Sequence, residues 1–180
     1  AQTAAAARAV IGEANDLRAD TTAGWNIDTA LRMAEALRAF NISSYEQPVA
    51  GIADLARLRR ETGVRVMADE SLCTIEDARA LIKEKAADLW NVRLAKIGGF
   101  CGLRALLELA RENGIGLHLG TLVGETSLLA AAGRIASGAA NFAHVEYGFP
   151  RLFLRGDPFR GGPAGYFGRG APQNKGSGLG

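Results

Sequence analysis

Three acidic residues, Asp20, Glu46 and Asp69, each close a short β-like run and lie 26 and 23 residues apart, one strand-plus-helix repeat in each case. In a parallel sheet or barrel the C-terminal strand ends share one face, and ligands bind there. Acids one repeat apart therefore become neighbours around a single cavity. Three carboxylates with no histidine or thiolate among them make a hard, all-oxygen donor set suited to Mg²⁺ or Mn²⁺, with positions left for water and substrate oxygens. Crowded together without a cation, they would raise one another's pKa and cost stability, so convergence itself argues for a metal. Taken singly, each could equally be a helix cap or a solvated loop acid.

The elements that must position them follow from hydrophobic period. Six candidate strands occupy residues 16–20, 42–46, 64–69, 89–95, 115–120 and 142–147. Between them, apolar residues recur at helical spacing: Ile27, Ala30, Leu31, Ala34 and Leu37; Ile52, Leu55 and Leu58; Leu103, Leu106, Leu107 and Ala110. Asn26 and Thr74 suit helix starts, Thr74 to Asp77 has capping-box-like spacing, and Gly63 and Gly114 follow helix ends. Repeated βα units with right-handed crossovers build either an open doubly wound sheet or a closed barrel, and periodicity does not choose between them.

Composition narrows the class. A chain of 180 residues, 48% hydrophobic and 22% charged, can bury a sizeable core as one α/β domain, which excludes disorder and collagen-like architecture. A net charge of +2 is too slight for a nucleic-acid or membrane-surface protein, so a small-molecule partner is expected. Two unpaired-looking cysteines argue against a disulfide framework or a thiolate zinc site and fit a cytoplasmic protein; both read as small, buried or half-buried hydrophobes. No apolar run reaches the ~20 residues of a spanning helix. Residues 1–150 hold the α/β pattern; residues 151–180 carry three of the five prolines and no clean period, and read as an excursion without a domain of its own.

Four motifs occur in order: Leu17-Arg18-Ala19-Asp20 followed by Gly24-Trp25, Tyr45-Glu46-Gln47-Pro48, Ala68-Asp69-Glu70-Ser71, and Lys96-Ile97-Gly98-Gly99. Together they resemble successive motifs of the enolase superfamily, nearest its muconate-lactonizing and mandelate-racemase-like branch, over about residues 4–147. The resemblance implies a (β/α)7β TIM-like barrel, here incomplete with about six of eight strands. It implies Asp20, Glu46 and Asp69 as ligands of Mg²⁺ or Mn²⁺, with Glu70 beside the third ligand and Glu125 after the next-to-last strand reaching the substrate region. The implied chemistry is abstraction of a proton α to a substrate carboxylate. That proton is very weakly acidic, and the enediolate left behind must meet preorganised positive charge.

The chain departs from that pattern in three places. Where the branch carries a lysine base in a Lys-x-x-Lys-x-Gly-Gly run, this sequence has Arg93, with Lys96 three residues on. A guanidinium stays protonated, so Arg93 is a stabiliser or carboxylate clamp rather than a proton acceptor. If the strand runs through residue 95, Lys96 points away from Arg93's face and acts as base only if the strand end turns it inward. Thr22 stands where asparagine is common. The strand bearing the branch's Lys-x-Lys motif and the capping domain are absent, so the sequence reads as part of a longer enzyme, homo-oligomeric when whole, whose fragment alone is inactive. Cycloisomerisation, racemisation or epimerisation, and dehydration all fit the triad, although Arg93 disfavours a two-lysine racemase. The other reading is a barrel subunit that keeps the metal and has lost the base. A nucleotide-binding sheet lacks its phosphate loop here, since 120–126 has the wrong spacing and no lysine. His118 and His144 read as packed or hydrogen-bonded, and Trp25 as a cover on the first ligand loop.

Overall fold

The computed structural model describes residues 1–148 and 153–157. Helix α1 (Gln2–Ile11) leads into β1 (Ala19–Asp20), then α2 (Ile27–Ala36), a 3-10 turn (Arg38–Phe40), β2 (Tyr45–Glu46), α3 (Ile52–Thr62) and β3 (Val66–Ala68). The order continues with α4 (Ile75–Lys83), β4 (Leu89–Val92), α5 (Gly99–Asn113), β5 (Gly116–Leu119), α6 (Ser127–Ala136) and β6 (His144–Val145). All six expected strands form, each shorter than its expected span: β1 and β2 keep the expected ends but begin three residues later, and β4 stops at Val92. They make one parallel sheet in sequential order, β1 to β6.

That sheet is curled. β1 and β5 are four strand spacings apart, roughly 19 Å in a flat sheet, yet Arg18, next to β1, donates to Nδ1 of His118 on β5 at 3.0 Å. Asp16 likewise lies 3.5 Å from His144 on β6. The strands therefore wrap an interior, and the alternation of side chains sorts them. Val66, Ala68, Trp90, Val92, Leu117 and Leu119 face outward into the core beneath the helices. Residues of the opposite parity, Glu46, Met67, Asp69, Asn91, Arg93 and His118, line the inside. A barrel interior is ordinarily filled with bulky branched apolar side chains; this one is largely polar.

The helix signals work as read. Asn26 caps α2 by accepting from Thr29 N at 2.8 Å. Thr74 and Asp77 form the full capping box on α4, at 3.1 and 2.8 Å. Gly63 and Gly114 end α3 and α5 in the left-handed region, φ 71° and 65°, where any side chain would be strained. Each helix buries one stripe: Leu55 and Leu58 of α3 and Leu103 and Leu106 of α5 are almost wholly enclosed, each contributing about 1.5–3 kcal/mol. Arg8 of α1 is buried and donates to the carbonyls of Gly12, Asn15, Phe40 and Asn41, tying the first helix to the loop before β2.

One expectation changes. Cys73 and Cys101 are exposed, because Cys73 precedes the α4 cap and Cys101 lies on the outer side of α5's first turn. Of residues 151–180 only 153–157 are described; there Asp157 accepts from Ser127 N at 2.7 Å, setting that stretch against the start of α6. The rest of the excursion lies outside the described residues. No described helix is long and apolar enough to cross a membrane.

Candidate active site

The parallel register sets the acids side by side. Asp20 and Glu46 are direct partners across β1 and β2, and Glu46 pairs with Met67, two residues before Asp69. Asp20 is exposed at the rim, where its Oδ1 accepts from Thr22 N at 2.9 Å and from the Thr22 hydroxyl at 3.4 Å. Thr22, where asparagine is common, can still hydrogen-bond to the first acid. Glu46 and Asp69 are buried. Burial pushes the Glu46 carboxyl up, a bond from Asn91 pulls it down, and the charges of both Asp20 and Asp69 push it up again. The third ligand candidate is stabilised differently: Asp69 takes Arg93 on one carboxylate oxygen and Lys96 on the other.

The placement of Lys96 corrects the expectation from strand alternation. β4 ends at Val92, and a turn closed by Lys96 N donating to Arg93 O at 2.9 Å folds the lysine back over the strand end. Its ammonium also reaches the Asp69 carbonyl at 2.5 Å. Arg93 and Lys96 therefore address one carboxylate together, and Arg93 extends to within 3.7 Å of Glu46 Oε1. Arg93 Nε is buried with no acceptor.

Glu125 and Glu70 fare differently. Glu125 is buried in the loop after β5, where Oε1 accepts from Leu122 N at 2.9 Å. Burial raises its pKa, the Leu122 amide and the charge of Arg93 pull the other way, and Glu146 adds to the rise. Glu70 is exposed on the turn after β3 and none of its side-chain atoms enters this cluster. Trp25, half-buried, pairs with Val49 beside the first ligand loop.

Sequence reading passed over two members. Asn91, two residues before Arg93 and so on its face, donates to Glu46 Oε1 at 2.5 Å. Glu146 ends the last strand as the three acids end theirs, and it lies 3.1 Å from His118 Nε2 while accepting from Thr121 N at 3.3 Å. Because Arg18 can only donate to His118 Nδ1, the imidazole proton sits on Nε2, toward Glu146. The nearby imidazole holds the Glu146 carboxyl below the usual range against the effect of burial, although Nε2 makes no hydrogen bond of good geometry. Strand period two and the repeated strand-end acid were the available signals for both.

Among the described residues no three His, Cys, Asp or Glu side chains are gathered tightly enough to hold a metal ion as they stand; Asp69 has both oxygens committed to side-chain cations. The donor set still fits a hard divalent cation in type and place: three carboxylates at adjacent strand ends, two of them buried. A cavity of about 500 Å³ behind Lys96, lined by Cys73, Thr74, Ile97, Gly102 and Leu106, contains none of these acids.

A curled, sequentially ordered parallel sheet with helices on its outer face, and acids and cations at its C-terminal mouth, defines an α/β half-barrel. The chain belongs to the enolase C-terminal domain-like family, whose model it matches over residues 1–180. It is 30% identical over 157 residues to the D-Ala-D/L-Ala epimerase of Cytophaga hutchinsonii, covering 86% of this chain and 42% of that protein. It is 37% identical over 128 residues to the o-succinylbenzoate synthase of Thermobifida fusca, covering 71% and 39%. The structure of a muconate lactonizing enzyme superposes with a TM-score of 0.80 at 27% identity, over 90% of this chain and 46% of that one. The chain spans about two fifths of the length of these curated relatives.

Proposed function

We propose that Asp20, Glu46 and Asp69 hold a divalent cation, Mg²⁺ or Mn²⁺, and that the full-length protein abstracts a proton α to the carboxylate of a small substrate. Bound there, the ion supplies positive charge against the enediolate that proton loss creates. The chain's own residues do the rest. Arg93, permanently charged and half-buried beside Glu46 and Asp69, orients the substrate carboxylate and stabilises developing negative charge. Lys96 is the member of the pair that can exist neutral and so take up a proton, and the turn after β4 aims it into the mouth. Glu125, buried after β5 with its carboxyl pKa raised by burial, faces the substrate region. Glu70 meets the outer part of the substrate.

The single observation that carries this reading is that Asp20, Glu46 and Asp69 stand at three neighbouring strand ends, with Arg93 and Lys96 drawn onto Asp69 at the same end of the sheet. One proton-transferring lysine suits a one-base elimination or cycloisomerisation better than a two-base epimerisation. A screen of carbon acids in D₂O with the full-length protein and Mg²⁺ tests it: deuterium enters the α-position of at least one carboxylate, and Glu46→Gln abolishes exchange. No exchange across dipeptides, N-acyl amino acids, muconate-type lactones and sugar acids contradicts it. Arg93 at the base position favours one second reading, a barrel subunit that keeps the ion without turnover; metal binding with no exchange would select it.

A further inference from the structure

We infer that Asn91 and Gly120 form a lock that positions the Glu46 carboxylate, so that residues on β4 and just beyond β5 set the geometry of an acid on β2. This rests on the reading of Glu46 as a ligand of the divalent ion.

Asn91 is fully buried. Its Nδ2 donates to Glu46 Oε1 at 2.5 Å, while its Oδ1 is buried with no hydrogen-bond partner. The amide orientation follows: the reverse flip would set a carbonyl oxygen against a carboxylate and leave the NH₂ group unpaired. An orphaned buried oxygen costs stability and is not what a residue chosen for packing leaves behind. What the residue supplies instead is a directed donor to Glu46.

Gly120 explains how the donor is held. Its backbone lies outside the left-handed region, so conformation does not demand glycine there. Space does: a Cβ would stand 2.0 Å from Asn91 Oδ1, 2.8 Å from Cγ and 2.9 Å from Nδ2. Gly120 N donates to Val92 O at 3.0 Å, fixing that backbone against the end of β4. The Asn91 amide is therefore confined between the bare Gly120 backbone and Glu46. Both residues are buried and Asn91 touches Glu46 rather than the space left for substrate, so both are positioning residues. Any side chain at 120 must drive the amide off its bond to Glu46.

The test uses the full-length protein with Mn²⁺ as probe in calorimetry, and urea unfolding in EDTA as a metal-free readout. Gly120→Ala and Asn91→Ala are each expected to weaken Mn²⁺ at least tenfold. Gly120→Ala is expected to add nothing in the Asn91→Ala background, where the methyl has room. A general packing defect at 120 would instead worsen both backgrounds alike, and that additivity overturns the inference. In EDTA, Asn91→Ala and Glu46→Gln are expected to be non-additive by at least fivefold in the unfolding constant, and additive values overturn it. Should the unsubstituted protein bind no Mn²⁺, the metal reading fails while the metal-free coupling still decides the lock. Should Gly120→Ala not fold, the Asn91–Glu46 cycle decides it alone.

Discussion

Arg93 marks the residue-scale difference between this chain and the lysine-bearing pattern it resembles. Its guanidinium cannot give up its proton, so its contribution is charge and geometry. Arg93→Lys retains the charge and loses the second fork of the guanidinium. That substitution is expected to lower proton exchange at least tenfold while changing Mg²⁺ affinity by less than threefold; unchanged turnover would remove Arg93 from the site. Glu125 gives a pH-dependent prediction. Its folded-state pKa is raised, so the protonated form adds stability at pH below the unfolded value near 4.3, and that contribution is lost as pH rises through the folded value. Glu125→Gln, which keeps the acceptor for Leu122 N, is therefore expected to raise the melting temperature at pH 7 to 8 and to have little effect near pH 4. A gain that persists undiminished at pH 4 would contradict the buried-carboxylate account.

Individual elements carry their own tests. The α4 cap is a local two-bond device, and Thr74→Ala is expected to cost about 1 kcal/mol in urea unfolding without altering exchange activity. β4 is anchored at its other end by Asp88, which receives Arg59 at 2.6 and 2.9 Å and Val66 N at 3.0 Å. Burial opposes ionisation of Asp88, yet these donors together hold its carboxyl below the ordinary range. The stability it contributes is present above the unfolded pKa and is lost as pH falls through the folded one, so Asp88→Asn should flatten the loss of stability between pH 5 and 3. An equally steep acid loss in the variant would rule the pair out. At this scale the sequence was most legible. Helix stripes, caps and the glycines after α3 and α5 depend on a few neighbouring residues, and they fell where their patterns put them. The end of β4 was not legible: the apolar and β-compatible run continues past Val92, while the Gly98-Gly99 turn and the pull of Asp69 fold residues 93–97 off the sheet. Strand alternation thus misplaced Lys96, and Asn91 escaped notice because an amide between apolar neighbours carries no sign of the carboxylate 45 positions away.

For the whole molecule, the parallel pairing was implicit in repeating βα units, but the sequential order and the curl that brings Arg18 to His118 were not, since the same units also build open sheets. The polar network across the interior, Arg18 to His118 to Glu146, is long-range and left no local trace. Among the described residues β1 and β6 are each paired on one side only, and such edges invite further strands. The 180-residue chain by itself is accordingly expected to sediment as concentration-dependent assemblies; a monodisperse monomer at high concentration would show that the interior network seals the sheet on its own. The most direct test of the central claim, that the strand-end acids form one cation site, is Mg²⁺ calorimetry on the full-length protein and its Asp69→Asn variant. The account predicts one saturable site that Asp69→Asn abolishes or weakens at least a hundredfold. Equal affinity in the two proteins would contradict it.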